Sequence, residues 1–236
     1  ALYEAKRGGS QYCFFDGNLR ARNLRRSSAT DEIRNALSRG AFVPYFQPQI
    51  SLQDGSVIGA EALARWEHPE EGVIPPYKFL PLAEDVGLLD SIDAAIFRAG
   101  LQALQSFDEM GFSLPKISFN VTASKLSSRS WLDYSCDAIR DLGLSRDRVS
   151  FEIVESIMFE GDSVELISMA RQVVHRGLQI QLDDFGTGHA SISALRVLPF
   201  NCVKIDKTFV RNIHQEPELQ DMMAGIIRII HGSKMT

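Results

Sequence analysis

The chain has 236 residues, 44% of them apolar, and a formal charge of −5, which suits one large domain or two small ones with an ordinary globular core. The negative balance argues against a general binder of DNA or RNA polymers. The longest apolar runs, such as "AGIIRII" at 224–230, are too short to span a bilayer, and no charged start leads into a secretory signal, so no membrane contact is expected of this segment.

Three scattered cysteines, Cys13, Cys136 and Cys202, show no CxxC or Cys/His spacing. They read as reduced thiols of a cytoplasmic protein. The first residue is not Met, so the sequence is expected to be a piece of a longer protein, whose other regions could carry an anchor.

In chain order, residues 1–16 read as a short helix, a Gly-Gly break and a short strand, too little to bury a core. Residues 17–30 read as a linker, in which the basic run "RARNLRR" (20–26) is expected to be a solvated linker or helix face rather than a phosphate patch. Thr30 or Asp31 is expected to cap a helix whose Ile33 and Leu37 share one face and which Gly40 closes. "AFVPYFQPQI" and "SVIGAEALARW" flank Asp54-Gly55 as a hairpin. One long helical stretch is expected from about Tyr77 to Met110. Beyond it, strands "KISFNV", "VSFEIVE", "LQIQLDDF" and "NCVKID" alternate with helices, and Gly143, Gly177 and Gly232 fall at helix ends. This alternation implies a parallel sheet covered by helices, either an open doubly wound sheet or a closed β/α barrel.

The polar residues fall at the strand ends: Glu61, Asn120, Glu152 with Glu155, Asp183 with Asp184, and Lys204 with Asp206. In parallel α/β folds the carboxyl ends of strands converge on one face. Alone, Asp184 would read as a helix cap; five strands ending alike point to a site. Clustered carboxylates raise one another's pKa unless a cation joins them, and carboxylates with an amide oxygen suit magnesium, manganese or calcium. No histidine belongs to the set, since His68 and His175 read as surface or packing residues, so zinc is disfavoured. Adjacent Asp183 and Asp184 fit two ions, which can clamp a phosphodiester. Lys204 then holds the attacking water or offsets phosphate charge; its plain alternative is an ion pair with Asp206. "FGTGH" reads as a loop with glycine hinges that carries Asp184, tethered by Glu155.

Five blocks, "EALARW" (61–66), "FNVTASKL" (119–126), "FEIVES" (151–156), "LDDFGTGHASISAL" (182–195) and "KIDKTFV" (204–210), occur in order and resemble the signature of the bacterial EAL-domain cyclic di-GMP phosphodiesterases. The resemblance covers 31–236, and residues 1–16 are similar to the end of a GGDEF domain, implying an upstream GGDEF domain in the same protein. It implies an α/β fold, a modified (β/α)8 TIM-like barrel with one antiparallel strand. By resemblance, Glu61, Asn120, Glu152, Asp183 and Asp184 are metal ligands and Lys204 supports the catalytic water. Glu155 holds the loop after Asp184, and Gln47, Leu63 and Arg65 contact the cyclic dinucleotide, Arg65 through phosphate. The implied reaction is hydrolysis of cyclic di-GMP to linear pGpG with two Mg2+ or Mn2+ ions, in a protein expected to be a homodimer.

Two departures accompany the resemblance. His189 stands where the family has an aromatic residue. The chain also ends before the family's last two strands, one bearing a glutamate proposed as general base, so a sequence truly ending at Thr236 is expected to be inactive. The alternatives are a cyclic di-GMP receptor that binds without hydrolysis and an unrelated barrel metalloenzyme; retention of the acids ranks phosphodiesterase first.

Overall fold

A computed structural model describes residues 29–155, 163–186, 195 and 197–236. The expected GGDEF-like end, nearly all of the linker, and His189 lie outside the described residues. The chain divides into two units: one takes residues up to Tyr45 together with Ala64–Ala99, the other Phe46–Leu63 and Gly100–Thr236.

In the first unit a helix through residues 29–38 (α1) precedes strand β1, Phe42–Ile50, which runs on into the second unit. Ala29 is already helical, so Thr30 and Asp31 lie inside α1 and are not its cap. Strand β2, Val57–His68, likewise belongs to both units, and its end pairs antiparallel with a short β3, Gly72–Ile74, through Trp66–Ile74. The sequence reading missed β3. Helix α2, Pro76–Asp85, and helix α3, Leu89–Glu109, replace the single long helix. The break falls at Gly87, whose φ of 71° no helix accepts. Ile33, Phe42, Trp66, Phe79 and Ile92 form this unit's core, with Phe42 5.2 Å from the Trp66 ring.

In the second unit the β1–β2 hairpin turns at Asp54-Gly55, where Ser51 N–H donates to Ser56 O at 2.8 Å. Strand β4 (Ile117–Asn120), helix α4 (Ala123–Leu126), helix α5 (Arg129–Asp141) and strand β5 (Val149–Val154) follow. Helix α6 (Ser163–His175), strand β6 (Gln179–Phe185), strand β7 (Cys202–Ile205) and helix α7 (Pro217–Gly232) complete it. The strand order is β1-β2-β4-β5-β6-β7, with β2 to β7 parallel in succession. This is the mixed α/β class with a mostly parallel sheet that the modified barrel requires.

Alternation along the strands sorts the side chains. Ile117 and Phe119, Phe151 and Ile153, and Ile180 and Leu182 are buried on one face. Helix α3 packs on that face so closely that a Cβ at Gly100 would lie 2.5 Å from the Phe119 ring. Ser128 caps α5 by accepting from Trp131 N–H at 3.3 Å, and Leu132, Ser135, Cys136 and Ile139 form its buried stripe. Gly143 and Gly177 take positive φ after their helices, whereas Gly232 is the last residue of α7 and Lys234 (φ 62°) takes the left-handed turn. The opposite strand face carries the polar residues.

Candidate metal and phosphodiester site

Parallel pairing sets Glu61 beside Ser118 and Asn120 beside Glu152, so β2, β4, β5, β6 and β7 contribute to one place. Glu61 lies within β2 and not at the strand end expected of it, because β2 runs on to His68 to pair with β3. Glu61, Glu152 and Asp183 each offer an oxygen, and these three atoms lie within 4.8 Å of one another. Lys204 Nζ sits among them: 2.6 Å from Glu152 Oε2, 2.8 Å from Glu61 Oε2 and 3.1 Å from Asp183 Oδ1. An ammonium has three protons, and three carboxylates face it. Asn120 Nδ2 donates to Glu61 Oε1 at 2.9 Å.

Burial acts most strongly on Glu152, raising its pKa to about 7 against the lowering pull of the Lys204 hydrogen bond. Its side chain is wholly enclosed, and Oε1 has no hydrogen-bond partner among the described residues. Desolvation pulls Lys204 down, yet hydrogen bonds to Glu152 and Glu61 outweigh it and carry the amine above its ordinary value. Asp184 is raised by desolvation first, then by the negative charges of Asp183 and Asp206.

The structure treats the two adjacent aspartates differently. Asp183 belongs to the carboxylate triad; Asp184 does not, and its φ of 54° puts it in the left-handed region. The β6–β7 register shifts between Leu182 and Phe185, so the pleat is interrupted at this pair. Glu155 lies just past β5, buried, and its Oε2 accepts from Gly186 N–H at 2.7 Å. Gly186 has φ 99°, and a Cβ there would stand 2.3 Å from the Phe209 ring. The remainder of the Gly-Thr-Gly loop lies outside the described residues.

The alternative pairing of Lys204 with Asp206 is not observed. Asp206 instead caps the 3-10 turn Lys207–Phe209, accepting from Thr208 N–H at 2.8 Å. In the second unit Gln47 is exposed on β1 and Leu63 half-buried on β2. Arg65 belongs to the first unit, with Nη1 donating to Ala64 O at 2.7 Å and its guanidinium 5.7 Å from the Tyr45 ring centre. His68 ends β2 and braces the turn that follows: Nδ1 accepts from Glu70 and Glu71 N–H, and Nε2 meets Glu32 at 3.0 Å.

Sequence reading missed the buried polar residues deeper on the same strand face: Ser118, Ser150 and Gln181. Their signal was visible, since each stands two residues before a strand-end polar group.

Comparisons with known proteins agree on the family. Residues 30–236 match the EAL domain. The cyclic di-GMP phosphodiesterase PdeR of Escherichia coli K12 is 31% identical over 97% of this chain and 34% of its own length. The bifunctional diguanylate cyclase/cyclic di-GMP phosphodiesterase MucR of Pseudomonas aeruginosa is 30% identical over 97% of this chain and 33% of its own length. The chain thus spans about a third of these curated relatives. The structure of the PaMucR phosphodiesterase in complex with c-di-GMP superposes with a TM-score of 0.79 at 28% identity, covering 88% of this chain and 84% of that one. With the carboxylate triad on its parallel strands and the family match over residues 30–236, this chain belongs to the EAL domain family.

Proposed function

We infer that the protein hydrolyses cyclic di-GMP to linear pGpG, using magnesium or manganese, with two ions at the site. The observation that carries this reading is the convergence of Glu61, Glu152 and Asp183 in a chain of this family. The names of PdeR and MucR, and the c-di-GMP bound in the PaMucR structure, support the substrate.

The residues fit a hard cation. Three carboxylates outnumber the one ammonium among them, and the enclosed Glu152 Oε1 is an acceptor awaiting a partner. Glu61, Asn120, Glu152, Asp183 and Asp184 would hold the ions, which when bound lower the pKa of a water and offset phosphate charge. Lys204, held by the same carboxylates, orients the attacking water or pairs with a phosphate oxygen. Arg65 binds phosphate through its planar guanidinium, and Gln47 and Leu63 contact the dinucleotide. Glu155 holds the chain leaving Asp184 through Gly186 N–H. Water adds across one phosphodiester, the oxygen bonding to phosphorus and the ribose oxygen leaving with a proton.

The reading carries with it an upstream GGDEF domain, a homodimer and a cytoplasmic location; no described helix is long and apolar enough to cross a membrane. The test is chromatography of cyclic di-GMP incubated with the protein and magnesium or manganese. The product expected is pGpG, lost with chelator and with Glu61→Ala. Turnover without metal overturns the reading, and binding without turnover makes the protein a receptor.

A further inference from the structure

Beneath the acids, the same strand face carries a second polar layer. Ser118 on β4, Ser150 on β5 and Gln181 on β6 stand two residues before Asn120, Glu152 and Asp183, so each shares a face with its strand-end partner. Their exposures are 0%, 0% and 1%. Covered parallel strands ordinarily fill such positions with Val, Ile or Leu. Here the inner face of β4, β5 and β6 is polar at two successive inward positions, Ser118 and Asn120, Ser150 and Glu152, and Gln181 and Asp183.

Register places this layer directly against Glu152. Ser118 pairs with Ser150, while Gln181 pairs with Glu152 itself. The hydrogen bond from Gln181 Nε2 to Ser118 Oγ, 3.3 Å long, therefore crosses the face of β5 between Ser150 and Glu152. Ser150 Oγ and Glu152 Oε1, on either side of that crossing, are both buried without a partner among the described residues. Unpaired buried oxygens are costly, and native interiors resolve nearly all of them with a neighbouring donor or an enclosed water.

We propose that Ser150, Gln181 and Ser118 are positioning residues, a polar floor that holds the Glu152 carboxylate in the orientation that receives a cation. The contact runs through the Ser150 hydroxyl turned toward Oε1 or through one enclosed water. The floor rests on the metal-dependent reading above and extends it to residues that touch neither cation nor substrate. Such outer partners of a metal ligand set its orientation and govern affinity.

The test is Mn2+ affinity by titration calorimetry, with thermal midpoints, on the protein and three variants. Ser150→Ala deletes one oxygen, and Gln181→Met removes the amide at nearly constant volume. Ile180→Val, on the helix-covered face of β6, is the packing control. The first two are expected to weaken Mn2+ binding about tenfold with midpoints close to the parent's. The control is expected to lower the midpoint and leave affinity alone. Parental affinity in Ser150→Ala overturns the floor while leaving the metal reading intact, as does equal weakening in Ile180→Val. Absence of Mn2+ binding by the parent overturns the metal reading and the floor with it. Should Gln181→Met fail to fold, Ser150→Ala decides alone.

Discussion

Lys204 Nζ donates to Glu152 Oε2 at 2.6 Å, tying β7 to a carboxylate enclosed on β5. Burial pushes that carboxyl up to about 7, while the ammonium is held above its ordinary pKa despite its own desolvation. In the metal-free protein Lys204 thus stays charged through the neutral range, and Glu152 is the partner that titrates.

Replacing that ammonium exposes the carboxylates to one another. Lys204→Met is expected to lower the thermal midpoint of the metal-free protein. Breaking a buried pair costs about 3–5 kcal/mol, lessened here because a carboxyl can take up a proton. Manganese should recover more of the midpoint in the variant than in the parent, and turnover should fall at least ~100-fold. Equal metal-free midpoints would show that Lys204 does not offset the acids.

Metal binding should release protons near neutrality. Glu152 binds a cation as carboxylate, so below about pH 7 each unit of acidification should weaken affinity by up to about tenfold. The stability of the metal-free protein has its own sign. The folded pKa of this acid is raised above its unfolded value, so between the ordinary glutamate range and about 7 the native state binds more protons. Its contribution to stability therefore declines as pH rises through that window. Calorimetry in buffers of different ionisation heat counts the protons, and a flat affinity from pH 6 to 8 would contradict the assignment.

Glu155 is a support whose loss should separate structure from metal binding. Glu155→Gln keeps an acceptor for Gly186 N–H and removes the charge. Since hydrogen bonds to ionised groups exceed neutral ones by about 1 kcal/mol, denaturant unfolding should report a loss of that order. Turnover should drop more than Mn2+ affinity, because the backbone at Gly186, just past Asp184, loses its charged anchor while the triad remains. An equal fall in both would place Glu155 among the ligands instead.

Gly186 and Phe209 should be energetically coupled. Gly186→Ala meets two obstacles, a φ of 99° and a ring 2.3 Å from the new Cβ. Left-handed backbone costs about 1–2 kcal/mol and overpacking about 1–3 kcal/mol. Only the second is relieved by Phe209→Ala. The double-variant cycle should therefore show a favourable coupling of roughly 1 kcal/mol with a residual backbone cost; strict additivity would mean that the ring simply moves aside.

Local chemistry determined much of this protein. The Asp54-Gly55 hairpin, the alternation of strands and helices, the apolar strand bodies with polar ends and the ordered EAL-type blocks are all properties of neighbouring residues, and they suffice for the fold class and for Glu61, Asn120, Glu152, Asp183 and Lys204 as a set. Tertiary structure alone decided the rest. Apolar periodicity runs through residues 77–110, so only the left-handed Gly87 reveals two helices. Asp206, two residues from Lys204, was its plain partner in sequence terms; in the fold Lys204 faces three acids on other strands, and Asp206 turns to Thr208. The shift between Leu182 and Phe185 parts Asp184 from Asp183. The polar layer of Ser118, Ser150 and Gln181 emerges only once β4, β5 and β6 are aligned. Periodicity along a strand says which side chains share a face; which level they meet on a neighbouring strand is set by long-range packing.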